Sequence, residues 1–349
     1  YTIEMVRITA RVPFASVALV RFDGWMAWGT YALLGAVTWW RRQPVEQRNE
    51  WRAEIGVVWH NLTARLSDQL LLGGSTMVLL LATLAWRSLP DGRLRVAFLD
   101  AGPGDAVFIE TPSGRQVLVD GGPSPSRLLD QLGRRMGFWD HSLDLVILSH
   151  PDDDLLPGLL PVLQRYRVDR VIAPRVDCYS HVCTEWERSL AAQGTSTLTG
   201  EAGLRVWLDE GLLLTVLHPG PEGASGANMN DGSLVMRIDH GEVCFLLTGD
   251  VSGEVEAELV AREAWLDCTV LKAARHGDAG STTASFLEAV DPQAVVIPVA
   301  AGNRYGYPHW QVLERVESGG ADRQIYRTDE DGTVEVVSDG VEVRVETAR

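Results

Sequence analysis

The stretch VILSHPDDDLLPG, residues 146–158, decides how the rest of the chain is read. Val146, Ile147 and Leu148 give a buried strand, and the polar residues after them give a loop at its C-terminal end. That loop carries one imidazole and three carboxylates within five residues, His150 to Asp154. His150, Asp152 and Asp154 alternate, so their side chains project to one side. One imidazole with two carboxylates suits a hard or borderline divalent cation. The same residues also fit a plainer role, an acidic turn capping a helix that begins near Leu155. The remainder of the chain weighs between the two.

Charge is split unevenly along the 349 residues. Residues 1–95 hold 11 Lys/Arg against 7 Asp/Glu, whereas residues 96–349 hold 20 against 40. Seven of the twelve tryptophans lie before residue 90. The two parts are therefore built for different surroundings. An acidic domain repels polyanions unless metal ions or a local basic patch intervene. Cys178, Cys183, Cys244 and Cys268 have no zinc-ribbon spacing. Cys178 and Cys183 are close enough for a local disulfide in an oxidising compartment. Cys244 and Cys268 sit in apolar, strand-like runs and are expected to be buried thiols.

Residues 24–40, GWMAWGTYALLGAVTWW, carry no charge and are bracketed by Trp25 and Trp28 at one end and Trp39 and Trp40 at the other. An uncharged run with aromatic residues at both ends fits a bilayer span. Residues 69–86, QLLLGGSTMVLLLATLAW, form a second such run, rich in leucine and without a polar face. A buried core helix is the alternative for each. The loop between them holds Arg41, Arg42, Arg48, Arg52 and Arg65, and the positive-inside tendency places it in the cytoplasm. Residues 46–66 within it read as an interfacial amphipathic helix. The chain after residue 92 then lies on the exterior face of a multi-pass membrane protein. Leu89-Pro90-Asp91-Gly92 marks the boundary, giving a membrane region over 1–92 and a water-exposed domain over 93–349.

In that domain, short apolar runs alternate with helical patterns. Strands are expected at 94–99, 106–110 and 116–120, the last two joined by a turn at Ser113-Gly114. A helix at 126–136 leads to the strand at 143–149. A helix at 155–166 and a strand at 170–173 follow, then a helix at 185–193. Four strands (204–208, 212–217, 233–238, 243–247) precede helices at 255–264, 283–290 and 310–318. Strands at 268–271 and 294–299 separate those helices, and three terminal strands close the chain. This is an α/β domain of two halves.

Polar, glycine-containing corners recur at the strand ends. They are DAGPGD at 100–105, VDGG at 119–122, Asn228-x-Asn230 with Ser233, LTGD at 247–250, LKAARHG at 271–277 and NRYGYPH at 303–309. One such corner means little; this set in this order, with His150-x-Asp152-x-Asp154, resembles the ComEC family of DNA-internalisation proteins of bacterial competence. The resemblance is dense over residues 94–340 and includes IYRTDEDGTVEV at 325–336 and ARVPFASVALV at 10–20.

The resemblance implies a metallo-β-lactamase-like αββα sandwich preceded by two transmembrane helices, with a two-metal site on one edge. In such sites two divalent ions about 3.5–4 Å apart activate a water and clamp a phosphodiester. It assigns His150, Asp152, Asp154, Asp250 and His276 as ligands of manganese, magnesium or zinc, with Asp154 and Asp250 catalytic. Asn230, Lys272 and His309 are expected to line the site. Three ligand-type positions depart from the family's pattern: Leu155 and Arg275 stand where it has histidines, and so does Tyr307. Leucine cannot ligate, Arg275 brings a permanent cation, and a tyrosine is a poor ligand at neutral pH. The site is therefore read as degenerate, holding one ion or none, with Arg275 expected to pair with Asp154 or Asp250 in place of a lost metal. The function implied is part of a DNA-uptake protein with a nuclease-type domain. Its expected partners are single-stranded DNA, the lipid bilayer and other competence-channel components. A catalytically inactive scaffold of the channel and a membrane-tethered hydrolase of another substrate are the alternatives.

Overall fold

The computed structural model describes residues 39, 70, 72–80, 83 and 90–349, apart from 138, 177, 179, 222, 224–227 and 321–322. Contacts divide the chain between Arg87 and Ser88. Before that point, the expected span at 24–40 and the amphipathic helix at 46–66 lie outside the described residues, Trp39 apart. Of the expected span at 69–86, residues 72–80 are helical, and Leu72, Met77, Val78, Leu79 and Leu80 are exposed. Among the described residues, no helix is long and apolar enough to cross a membrane.

The second unit is built on two sheets. Strands β1 (Leu94–Phe98), β2 (Val107–Glu110), β3 (Gln116–Val119), β4 (Ser142–Ile147), β5 (Arg167–Pro174) and β6 (Ser196–Gly200) lie side by side in the first. Strands β7 (Arg205–Asp209), β8 (Leu212–His218), β9 (Val235–His240), β10 (Val243–Leu247), β11 (Val270–Lys272), β12 (Ala294–Ile297) and β13 (Gln324–Arg327) form the second. The chain then returns to the first sheet, where β14 (Val334–Ser338) pairs with β1 and β15 (Val343–Thr347) closes the edge. Helices α1 (Pro125–Arg135), α2 (Leu156–Arg165) and α3 (His181–Gln193) belong to the first half. Helices α4 (Gly253–Ala261), α5 (Ala284–Val290) and α6 (Trp310–Ser318) belong to the second.

Side-chain alternation turns these elements into four layers. In β1, Leu94, Val96 and Phe98 enter one core, while Ala97 enters another. In β10, Val243, Phe245 and Leu247 meet the same first core, and Leu246 turns away from it. A period of two thus buries both faces of each sheet. The shared core lies between the sheets. Leu128, Leu132, Leu159 and Trp186 of α1–α3 cover the outer face of the first sheet. Leu259, Phe286, Leu287 and Val312 of α4–α6 cover that of the second. The order is helix, sheet, sheet, helix.

Two expectations change. Cys244 and Cys268 are joined in a disulfide, as are Cys178 and Cys183. Burial alone had implied thiols; parallel pairing of β10 with β11 brings the first two within a Cα separation of 5.0 Å. Strand β6 was not foreseen. Its first four residues are exposed and it lies at the sheet edge, so no apolar alternation betrays it.

The pairing also fixes where a site can form. β3, β4 and β5 run parallel, as do β10, β11 and β12. Parallel strands send their C-terminal loops to one edge. Leu234, just before β9, donates its N–H to the Ser149 carbonyl at 2.9 Å and ties the two sheets together at that edge.

Candidate metal centre

The loop after β4 is shaped from its neighbours. Asp120, in the left-handed region at φ 59, accepts the Ser149 N–H at 2.7 Å through its carboxylate. Burial pushes the Asp120 carboxyl up to about 8, against that hydrogen bond. Gly104, at φ 155, faces the far side of the loop, and a Cβ there would overlap the Asp154 carbonyl oxygen. The DAGPGD corner therefore needs its second glycine so that the acidic loop can pack on it.

On this frame His150, Asp152 and Asp154 each bring a ligand-type atom within 4.8 Å of the others. His150 Nδ1 lies 3.0 Å from Ser149 Oγ, which leaves Nε2 for the site. Burial lowers the His150 pKa, favouring the neutral ring that a metal requires. Asp154 moves the other way. Burial, then the Asp152 and Asp250 carboxylates, push it up to about 7.

The second sheet brings a different cluster, completed by Asp105 from the β1–β2 loop of the first. Arg275 and His276 both adopt left-handed φ, 50 and 53, a conformation that costs non-glycine residues roughly 1–3 kcal/mol each. This turn lets His276 Nδ1 donate to the Pro298 carbonyl at 2.9 Å. It leaves Nε2 3.7 Å from Asp250 Oδ2. Such a backbone bond fixes the tautomer and orients a ligand imidazole. Asp105, 1% exposed, sits 3.3 Å from His276 Nδ1 and forms an ion pair with the buried Lys272 ammonium. Lys272 also donates to the Gly249 carbonyl at 3.0 Å. Burial opposes charge on His276, yet Asp250 and Asp105 outweigh it and raise the ring to about 10. Burial likewise opposes the Asp105 anion, but Lys272 and His276 hold it well below the usual carboxylate range.

At this edge, His150 Nε2, Asp154 Oδ1 and Asp250 Oδ1 are among the buried atoms without a hydrogen-bond partner. Buried acceptors left unpaired are costly unless a cation takes them up. The donor set of His150, Asp152, Asp154, Asp250 and His276 thus fits a divalent ion. Among the described residues, the tight triad of His150, Asp152 and Asp154 is the one group close enough to hold it without movement.

The positions read as substituted behave as follows. Leu155 is 1% exposed and packs in the core beneath α1–α3, offering no donor. The Tyr307 phenol is raised above its ordinary value by burial and by the Asp278 carboxylate, so it stays protonated. Arg275, whose backbone is left-handed, forms no ion pair with Asp154 or Asp250. The cation beside the carboxylates is Lys272. Lys272 itself lies beneath the site rather than along its opening. Asn230 acts through its backbone: its carbonyl accepts the Ser233 hydroxyl at 2.6 Å, and Ser233 in turn accepts the Asp250 N–H at 3.1 Å. His309 caps α6 and donates its N–H to the Gly277 carbonyl at 2.8 Å, steadying the His276 turn from behind.

Asp154 and His276 open onto a cleft of about 560 Å³. Its walls carry Arg127, Arg304 and Arg349, with Tyr305 and Tyr307. Asp100 pairs with Arg127 at 3.7 Å and with Arg349 at 3.4 Å. A local basic lining therefore exists within an acidic domain.

The model of the metallo-beta-lactamase superfamily matches residues 99–300. The chain belongs to that superfamily. The match takes in the loops of Asp105, His150, Asp250 and His276. Three curated relatives carry the resemblance to the ComEC family read from the sequence. The chain is 27% identical to ComE operon protein 3 of Bacillus subtilis, over 69% of this chain and 32% of the relative. It is 28% identical to Recombination protein 2 of Haemophilus influenzae, over 69% and 28%. It is 26% identical to Competence protein ComA of Neisseria gonorrhoeae, over 71% and 33%. The chain thus spans about a third of the length of these relatives. Among solved structures, the metallo-beta-lactamase fold protein YhfI from Bacillus subtilis aligns with 70% of this chain and 99% of its own, at 13% identity and a TM-score of 0.48.

Asp105 is the functional-looking residue that sequence reasoning passed over. Its link to Lys272 spans more than half the domain. The usable signal was an acidic residue in a glycine corner and a lysine at a strand end, both at the same sheet edge.

Proposed function

We propose that this chain is part of a DNA-uptake protein of the competence type, with a domain that holds one divalent ion and hydrolyses phosphodiesters slowly. The observation that carries the reading is the set of unpartnered buried acceptors on His150, Asp154 and Asp250, of which Asp154 opens onto an arginine-lined cleft. His150, Asp152 and Asp154 hold the ion, with Asp250 and His276 completing the set. The ion supplies charge stabilisation at a phosphate and lowers the pKa of a water. The protein's own groups do the rest. Asp154, which opens onto the cleft, would serve the ion as a carboxylate ligand. Arg127 and Arg304 offset the charge of a phosphate backbone. The substrate proposed is single-stranded DNA, as the resemblance implies.

The runs at 24–40 and 69–86 are proposed to cross the bacterial membrane. The exposed apolar side chains of residues 72–80 support a lipid environment for the second. Two disulfides support placing the domain on the exterior, since disulfides persist in oxidising compartments.

A second reading, a binding module without chemistry, is favoured by one feature. Without an ion, Asp250 and Asp105 outweigh burial and favour the protonated His276 ring, which cannot ligate until it gives up that proton. One experiment separates the two. The 349-residue chain is assayed for metal content by elemental analysis and for cleavage of labelled single-stranded DNA with manganese. One ion per chain, with slow cleavage abolished in Asp250→Ala, is the expected result. Two tightly held ions would overturn the single-ion site. Binding without any cleavage would pass the function to the second reading.

A further inference from the structure

The cleft beside the candidate metal centre carries an aromatic feature that phosphodiester chemistry does not require. Tyr305 and Tyr307 are stacked, with ring centroids 5.5 Å apart and planes 20° from parallel. The Arg304 guanidinium carbon lies 4.8 Å from the Tyr305 ring centre, and its Nη2 donates to the Tyr305 hydroxyl at 2.6 Å. Tyr305 is 58% exposed, although a large aromatic ring gains by burial. The stack is held rigidly from beneath. Asn303 accepts the Tyr307 N–H at 2.9 Å and donates to the Tyr307 carbonyl at 2.7 Å, and it accepts the Tyr305 N–H at 3.2 Å. A rigid, exposed ring flanked by arginine is the chemistry that receives nucleobases.

We propose that Tyr305, backed by Tyr307 and flanked by Arg304, is a stacking platform for an unpaired base of a DNA strand. The inference rests on the phosphodiester reading and assigns it a selectivity. Arg127, in the same cleft, meets a neighbouring phosphate, and the strand leads on to Asp154 and His276. A base in a duplex already has both faces covered by its neighbours, so the platform takes single strands and leaves paired DNA unread. Stacking tolerates any base, because each has a π face. The platform therefore gives strand selection without sequence preference.

The test measures binding of fluorescein-labelled oligothymidylate to the 349-residue chain by anisotropy, in EDTA so that nothing is cut. A duplex and an abasic backbone of the same length serve as comparison probes. The unmodified chain is expected to prefer the single strand to both. Tyr305→Ala is expected to weaken the single strand about tenfold, within the range for loss of one base stack. The same variant leaves the abasic backbone unchanged, and Tyr305→Trp restores binding. Arg127→Ala is expected to weaken all three probes alike and to flatten the salt dependence. Equal loss for the abasic and normal strands in Tyr305→Ala would overturn the platform. So would unchanged binding of the normal strand. If the unmodified chain cleaves DNA with manganese while Tyr305→Ala binds normally, the platform alone falls. If the unmodified chain binds none of the probes and cleaves none, the phosphodiester reading falls with it.

Discussion

Two unlike clusters meet at the same sheet edge. The half from the first sheet, His150, Asp152 and Asp154, gathers carboxylates without a protein cation among them, and Asp154 is driven toward neutrality as a result. The other half joins Lys272, His276 and Asp250 from the second sheet to Asp105 from the β1–β2 loop of the first; it alternates sign and compensates itself. The difference shows where affinity for an ion resides. Like charges crowded at a buried point are relieved by an external cation. A self-compensated network gains less from one, and serves instead to hold His276 and Asp250 in place.

That contrast breaks most sharply at Asp105. Asp105→Asn leaves the Lys272 ammonium buried without its anion, which is expected to cost about 3–5 kcal/mol of unfolding free energy. Urea denaturation of the metal-free chain measures it. Replacing both partners, in Asp105→Leu with Lys272→Met, is expected to recover most of the loss, since apolar pairs often match buried ion pairs. A double variant as unstable as the single one would show that the pair does more than balance charge. Asp154→Asn probes the other half and has a smaller effect with opposite signs. Metal affinity falls at least tenfold by calorimetry, because a charged ligand is lost. Stability of the metal-free chain rises by about 0.5–1 kcal/mol, because the raised carboxyl was already strained by its neighbours. A destabilised Asp154→Asn would end the claim that the first half is electrostatically frustrated.

The division of labour was only partly legible in the sequence. The strand-loop at 146–158 announced the first half, because apolar residues followed by His150-x-Asp152-x-Asp154 are contiguous and their spacing is local. The layered fold was legible for the same reason: period-two burial in β1 and β10 is written in neighbouring residues. The second half was hidden by distance. Lys272 and Asp105 are far apart in sequence, and neither has a spacing that names a partner. Arg275 was given the charge-balancing role because it replaces an expected histidine, yet it forms no ion pair with either carboxylate, and its backbone is left-handed at φ 50. Backbone handedness at a non-glycine residue is set by tertiary packing, here the Pro298 carbonyl and the Gly277–His309 bond, and composition does not betray it. The disulfide of Cys244 with Cys268 was missed likewise, since it depends on which strands pair and in what direction.

The pH dependence of the metal-free chain sharpens the comparison by its sign. His276 has its folded pKa raised to about 10 from an ordinary 6.5. Its stabilising contribution is complete below pH 6.5 and is lost as pH rises toward 10. Asp154 and Asp120 are raised to about 7 and about 8 from 3.8. A carboxyl that holds its proton more tightly when folded also loses stability as pH rises, here between about 4 and 8. Asp105 runs the other way, but its depressed pKa matters only in acid. From pH 6.5 to 9, then, all of the raised groups act in one direction, and the urea midpoint of the chain in EDTA is expected to fall steadily. In Asp120→Asn the part of the fall below pH 8 shrinks, and in His276→Gln the part above it disappears. Saturating manganese reverses the lower part of the slope, because an ion bound at His150, Asp152 and Asp154 favours the deprotonated carboxylate. A midpoint that rises through this window in EDTA would mean that the carboxylates of the first half are paired in solution, and the contrast between the halves would be lost.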